Sequence, residues 1–368
     1  MGVEAVARVE SYRVSDKKNP GGKVGHRYRF ISIALLVNII IFMIIVKESS
    51  ASYKIIDLGV LSGGANSYAL DINNSGQVVG YSGTANGWHA TLWSNGNAID
   101  LSGINSQSEA RSINDDGKIV GINTIFTNGP TTSAVLWTNG TMIDLGSFGG
   151  IDSESFGINN LGQVVGSSNY RVTDYSYPNS AFVYANGSMK KLGINGYASV
   201  AYSINDLGIA VGQLNGVAVV FDTITNSVEY LGSGVAIRIN NFGQILVNNS
   251  LLSSDKITYF DKGVATDINN VGQVVGYDDK SGLYDRAIIY NNGISTYLDS
   301  LIYPNSGWAL REAFAINDSG QIVGDGLING QVHAFLLSPD MQPIPEPTTI
   351  LLFLCGLSCI VVMKSLWG

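Results

Sequence analysis

Apolar and polar positions alternate along this chain in blocks, and the blocks repeat. The first copy reads Ile72-Asn73-Asn74-Ser75-Gly76-Gln77-Val78-Val79-Gly80: a strand end, a polar turn, an apolar pair and a glycine. Related phrases start at Ile113, Ile158, Ile204, Ile239, Ile268 and Ile316, at a mean spacing of about 41 residues. A fixed period of this size signals a propeller, a solenoid or an array. Each period holds a second apolar run, such as His89-Ala90-Thr91-Leu92-Trp93 or Ser133-Ala134-Val135-Leu136-Trp137. Asn-Gly often comes after it, as at Asn95-Gly96, Asn139-Gly140 and Asn186-Gly187, and marks a hairpin because both residues tolerate positive φ. A fourth strand ends near Asp-Leu, as at Asp100-Leu101 and Asp144-Leu145.

Four short strands per period, with no helical periodicity between them, predict the blade of a β-propeller. The apolar residues stand on consecutive positions, as expected of a sheet covered on both faces by its neighbours. The expected fold is all-β: seven four-stranded blades, with six as the fallback. Tyr53-Lys54-Ile55-Ile56-Asp57-Leu58-Gly59 is a fourth-strand phrase standing before the first copy, and the last copy lacks that phrase. Residues 53–59 are therefore expected to complete the blade begun near Glu312 and to close the ring. One copy is weak. Ile239 and Ile268 are only 29 residues apart, and Leu246-Val247-Asn248 replaces Val-Val-Gly. Three strands, or fusion with a neighbour, are expected there.

The two ends differ from the repeats. Phe30 to Val46 is a 17-residue apolar run preceded by seven Lys or Arg, from Arg8 to Arg29. Such a charge bias keeps the leader cytoplasmic and sends the domain beyond the apolar run across the membrane. The expected organisation is a basic leader over 1–29, a signal peptide or signal anchor over 30–51, a repeat domain over 52–341 and a terminal signal over 342–368. Between Ser52 and Pro345 there are 12 Lys plus Arg against 24 Asp plus Glu. That acidic balance argues against nucleic acid as a partner. Both cysteines, Cys355 and Cys359, lie in the C-terminal apolar run, so the repeats hold no disulfide framework and no cysteine metal site.

At the C-terminus, Pro345-Glu346-Pro347 precedes an apolar run, Ile350 to Met363, and then Lys364. This arrangement resembles the PEP-CTERM sorting signal of exopolysaccharide-producing Gram-negative bacteria. The resemblance implies a membrane protease-transpeptidase of the exosortase type as a partner, acting at Pro345, Glu346 and Pro347. The usual terminal arginine cluster is reduced here to Lys364. The repeats in turn resemble the extracellular HAF repeat, through the Ile-Asn-x-x-Gly-Gln-Val-Val-Gly phrase, His333-Ala334-Phe335 and Asp144-Leu145-Gly146. That family carries no settled biochemical activity. Together the two resemblances imply an exported protein of the cell surface or matrix, held to the membrane at least transiently.

The chemistry-bearing residues are sparse. His89 and His333 share one repeat column, and backbone hydrogen bonding is their expected role. Asp71-x-Asn73-x-x-Gly76, Asp267-x-Asn269-x-x-Gly272 and Asn114-Asp115-Asp116-Gly117 faintly resemble calcium loops. They lack the regular carboxylate ladder, so turn chemistry is expected and calcium is the lesser alternative. The Asn after each Ile is expected to fix its turn, and the Trp93 and Trp137 column to pack between blades. No catalytic constellation and no cofactor are expected. Function belongs on the loops between second and third strands, where aromatic rings stand beside acids and amides. Trp88, Tyr170, Asp174, Tyr175, Tyr177, Tyr277 and Tyr284 are the candidate ligand-face residues, in a pattern that suits a sugar. The leading reading is a non-enzymatic binding module for exopolysaccharide or a surface protein. The alternatives are a polysaccharide lyase or glycosidase working through channel carboxylates, and a purely structural spacer.

Overall fold

The computed structural model describes residues 53–102, 106–126, 129–170, 179–254, 256–280, 284–291 and 293–340. These residues form seven four-stranded antiparallel sheets arranged as a β-propeller. Blades 1 to 6 begin with innermost strands Ser67–Ile72, Ser106–Ile113, Ser153–Ile158, Ser199–Ile204, Ala236–Ile239 and Val264–Ile268. Blade 7 begins with Trp308–Ile316, and its outermost strand is Tyr53–Asp57. That strand pairs with Gln331–Pro339, Tyr53 opposite Pro339 and Asp57 opposite Phe335, so the start of the propeller closes its end as the sequence leads one to expect.

The consecutive apolar pair explains the architecture. Val78 packs in the seam between blades 7 and 1, and Val79 in the seam between blades 1 and 2. Val164 and Val165 divide in the same way across the two faces of blade 3, as do Val274 and Val275 in blade 6. Adjacent strand residues point to opposite faces. Both therefore meet a neighbouring blade, and the buried apolar side chains form seven seam clusters around the ring. Trp93 and Trp137 lie in two of these seams, 3% and 4% exposed, so their column is packing.

Blade 5 corrects the sequence reading. It has all four strands, Ala236–Ile239, Ile245–Val247, Ser250–Ser253 and Lys256–Tyr259, and it does not merge with a neighbour. The register places Ile239 opposite Ile245, so the apolar pair is Ile245-Leu246 and Val247 stands where other blades have glycine. Shorter strands, with a turn at Asn248 (φ 51°), account for the missing residues.

Each innermost strand carries a β-bulge at the same place. Register shifts lie between Ala69 and Asp71, Ala110 and Ser112, Ser155 and Gly157, Ala201 and Ser203, Ala236 and Arg238, Ala265 and Asp267, and Ala313 and Ala315. A bulge leaves one residue unpaired and re-aims it. Serine staples join the blades further out: the amides of Ala90, Ala134, Ala181 and Ala334 donate to the hydroxyls of Ser108, Ser153, Ser199 and Ser67, each on the next blade, at 2.9 Å.

The predicted hydrophobic helices at the ends lie outside the described residues, as do Pro345, Glu346 and Pro347. Among the described residues no helix is long and apolar enough to cross a membrane, and the one helical element is a 3-10 turn, Leu298–Leu301.

Candidate functional site

The axis is organised in layers. On the face formed by first-to-second strand turns, each Asn after Ile bonds its own turn and the next blade. Asn73 Oδ1 accepts from the amides of Ser75 and Gln77, at 3.1 and 2.9 Å. Its Nδ2 donates to the Asn114 carbonyl, at 3.1 Å. The same donation runs on through Asn114, Asn159, Asn205, Asn240, Asn269 and Asn317, which returns to the Asn73 carbonyl at 3.0 Å. The expected turn role is present, but the sequence reading missed the closed ring. A second ring lies outside it. The amides of Asn74, Asp115, Asn160, Asp206, Asn241, Asn270 and Asp318 each donate to the side-chain oxygen of the next member. Asp115, Asp206 and Asp318 are never adjacent in that circle, and the outer oxygen of each accepts from neighbouring Asn amides.

One layer in, Arg238 Nε lies 3.3 Å from Asp267 Oδ1, and Asp71 lies on the same small cavity. Burial raises both acids, Asp267 to about 6, with Arg238 opposing the rise. The second oxygens of Asp71 and Asp267 accept from the amides of Ile113 and Ile316, both at 2.9 Å. The residues that faintly resembled calcium loops are thus engaged in turn and inter-blade bonds. Among the described residues no group of three His, Cys, Asp or Glu is placed to hold a metal ion.

Next comes the collar made by the bulges. Leu70, Arg111, Phe156, Tyr202, Ile237, Thr266 and Phe314 are the bulged residues of the seven blades, and together they line a cavity of about 320 Å³. Phe156 and Tyr202 lie 5.3 Å apart, and the Arg111 guanidinium sits 4.9 Å above Phe156, held by Glu109 and Glu154 at 3.1 and 2.7 Å.

The opposite mouth, on the face of the second-to-third loops, is where aromatic rings and acids meet. Tyr68 and Tyr81 stack at 4.9 Å, and Trp88 closes edge-on against them at 5.7 and 5.4 Å. Trp88 is 37% exposed. Across the seam, blade 7 brings up Asp325 and Glu312, which are register partners. Asp325 is 1% exposed, with Arg311 Nη1 3.6 Å away; neither Asp325 Oδ2 nor Arg311 Nε has a hydrogen-bond partner among the described residues. Burial lifts the Asp325 carboxyl to about 7, against the pull of Arg311 and with help from Glu312 and Asp285. Burial and then Asp285 also raise Glu312. Burial raises Tyr68, Tyr81 and Tyr277 as well, and nearby acids add to the rise: Asp325 acts on Tyr68 and Tyr81, Glu312 on all three.

A raised carboxyl has a stability consequence. An acid whose folded pKa exceeds its unfolded value stabilises most when protonated, and that stability is lost as pH rises through the folded pKa. Replacing Asp325 with Asn is expected to reduce the fall in melting temperature between about pH 4 and about pH 7, measured by differential scanning fluorimetry. An unchanged slope would mean that Asp325 stays ionised across that range.

The candidate loop residues are not gathered in one place. Trp88 belongs to the aromatic triad. Tyr277 is half-buried near Glu312 and Asp285, and Tyr284 is exposed on the same blade. Tyr170 is on blade 3, with Lys191 Nζ 4.5 Å over its ring. Asp174, Tyr175 and Tyr177 lie outside the described residues. Trp88 and Tyr277, expected in loops, are themselves on strands, Gly87–Ser94 and Val274–Asp278. Tyr68, Tyr81, Glu312 and Asp325 were missed because function was expected on loops alone. Their signal was present: Tyr81, Tyr277 and Asp325 all come directly after the Val-Val-Gly type of phrase, at a position that varies from blade to blade.

The histidines correct another expectation. Their partners are carboxylates, not backbone: His89 Nδ1 lies 2.8 Å from Asp100, and His333 Nδ1 3.0 Å from Asp57. Ser133 and Arg286 reach the corresponding Asp144 and Asp299. The column ties a third strand to an Asp on the fourth strand of the same blade, or in blade 6 to Asp299 on the 3-10 turn that follows that strand.

No curated protein sequence matches the chain. Among solved structures it is similar to a streptogramin B lyase, with 11% identity over 79% of this chain and 100% of that one, TM-score 0.47. It is also similar to the β-propeller domain of the Trilobed protease from Pyrococcus furiosus, with 13% identity over 65% and 84%, TM-score 0.43. The WD40 domain of SCAP from fission yeast gives 10% identity over 78% and 98%, TM-score 0.35. Likenesses this distant carry nothing about activity. Residues 147–336, more than half of the chain, match the family described as "Protein of unknown function (DUF3466)", and the chain belongs to that family.

Proposed function

We propose that this chain is an exported, non-enzymatic binding module that engages polysaccharide on the loop face over blades 6, 7 and 1. The observation that carries the reading is the Tyr68–Tyr81–Trp88 cluster beside the partly exposed Glu312 of blade 7. Aromatic faces take the apolar side of a pyranose, and acids and amides take its hydroxyls. The ligand of first choice is the producer's own exopolysaccharide, with a surface protein second. The terminal apolar runs and Pro345-Glu346-Pro347 suit export and processing by an exosortase-type enzyme at the cell surface.

Replacing Trp88 with Ala is expected to weaken retention on purified exopolysaccharide about tenfold, as losing an anchoring aromatic does. Tyr230→Ala, an exposed change on the outer strand of blade 4, is the control and is expected to leave retention unchanged. Equal retention for wild type and Trp88→Ala would remove this face from the account.

A second reading has its own support. Glu312 and Asp325 face each other on paired strands, and Asp325 holds its proton toward neutral pH, which suits an acid–base pair of a glycosidase. Against it, Asp325 is almost wholly buried. Release of reducing or unsaturated ends from the polysaccharide would favour this reading.

A further inference from the structure

The turn after each innermost strand requires an Asn at its first position and a Gly at its fourth. The glycines, Gly76 to Gly320, all have φ between 74° and 84°. The third position faces water, and the turn does not specify it. Blades 7, 1 and 2 place Ser319, Ser75 and Asp116 there. Blades 3, 4, 5 and 6 place Leu161, Leu207, Phe242 and Val271, exposed by 69%, 66%, 76% and 69%. These four turns are consecutive in the ring, because Asn159, Asn205, Asn240 and Asn269 bond one to the next. In blade 4 the patch extends outward to Ile224, 77% exposed, whose neighbour Thr223 donates to the Gly208 carbonyl. One side of the turn face is therefore an apolar crescent, and the other side is polar. Large contiguous exposed patches mark a partner surface.

Where the chain leaves the propeller identifies that partner. Tyr53 and Pro339 are opposite one another, and Ser338 accepts from Gln321 of the blade 7 turn at 3.1 Å. Both ends thus emerge on the turn face. Residues 47–52 separate Tyr53 from the apolar run that ends at Val46, and residues 340–349 separate Pro339 from the run that begins at Ile350. Ten extended residues reach about 35 Å at most.

We infer that the turn face lies against a lipid bilayer, with Leu161, Leu207, Phe242 and Val271 seated at the headgroup boundary. The inference rests on either apolar run entering the membrane, and it stands apart from the identity of the loop-face ligand. Short tethers on one face turn that face toward the bilayer, and apolar side chains there gain by leaving water. Asp206 sits on a blade of the crescent, and Asp115 and Asp318 on the two blades that flank it, so a zwitterionic surface fits better than an anionic one. The loop face then points away from the membrane.

The test uses the full chain with Cys355→Ser and Cys359→Ser, reconstituted into phosphatidylcholine vesicles. A polarity-sensitive fluorophore is attached through Leu207→Cys or Phe242→Cys, with Ala85→Cys on the loop face as the control. The expected result is blue-shifted emission at 207 and 242, quenched by spin-labelled lipid, with neither effect at 85. Emission at 207 and 242 equal to that at 85 would place the turn face in water and overturn the inference. A blue shift without lipid quenching would mean burial by another protein copy or partner, and would overturn it too. So would a chain that does not enter the vesicles.

Discussion

Gly121→Ala is expected to unfold the propeller or to cost about 3–5 kcal/mol of stability. A Cβ built on Gly121 meets the Glu109 carbonyl oxygen at 1.9 Å and the Glu109 carbonyl carbon at 2.9 Å. Both are backbone atoms of the bulged inner strand, so relief requires the bulge to move. The bulge also aims Arg111 at the axis, so the strain would reach the collar. Gly80, Gly166, Gly212, Gly276 and Gly324 meet the same carbonyl in their own blades at 1.9–2.0 Å. Gly140→Ala separates crowding from backbone strain. Gly140 has φ 73° and nothing within 4 Å of its built Cβ, so a loss of only about 1 kcal/mol is expected there. Urea unfolding of the two variants measures the difference. Equal losses would mean that the close approach at the bulge is not a constraint.

Asn159→Asp is the second large effect, expected to cost about 3 kcal/mol at neutral pH by the same measurement. Asn159 is 3% exposed, and its Nδ2 donates to the Asn205 carbonyl at 2.9 Å and to Gln163 Oε1 at 2.7 Å. A carboxylate has no donor to offer and would face two oxygens in their place. The Oδ1 contact with the Gln163 amide would survive, since a carboxylate accepts as well as an amide does. Protonation restores one donor, so part of the loss is expected to be regained as pH falls. A variant as stable as wild type would show that the Asn ring does not join the blades.

The same two features mark what the sequence reveals and what it hides. Four strands per period, the Val-Val pairs and the displaced Tyr53–Asp57 strand were legible, because side-chain alternation and strand ends are local patterns. Blade 5 was misread because Val247 in the glycine column hid the register, which only the pairing of Ile239 with Ile245 reveals. The Asn ring was hidden for a different reason. Each Asn also satisfies its own turn, and that local role accounts for the repeat without any partner 29 to 48 residues away, or 244 where the ring closes. The site obeyed the same rule. Trp88 stood out as a candidate loop residue, although it lies on the strand Gly87–Ser94, while Tyr68, Tyr81 and Asp325 looked like ordinary strand residues. Bringing blade 7 against blade 1 requires the ring to close, and no spacing within one repeat encodes that seam.

Equilibrium binding of the purified full chain to the producing organism's exopolysaccharide, with reducing and unsaturated ends assayed in the same tubes, tests the central claim most directly. The expected result is saturable retention that depends on Trp88, with no new ends formed. Formation of new ends, or no retention at all, would contradict a non-enzymatic polysaccharide-binding face.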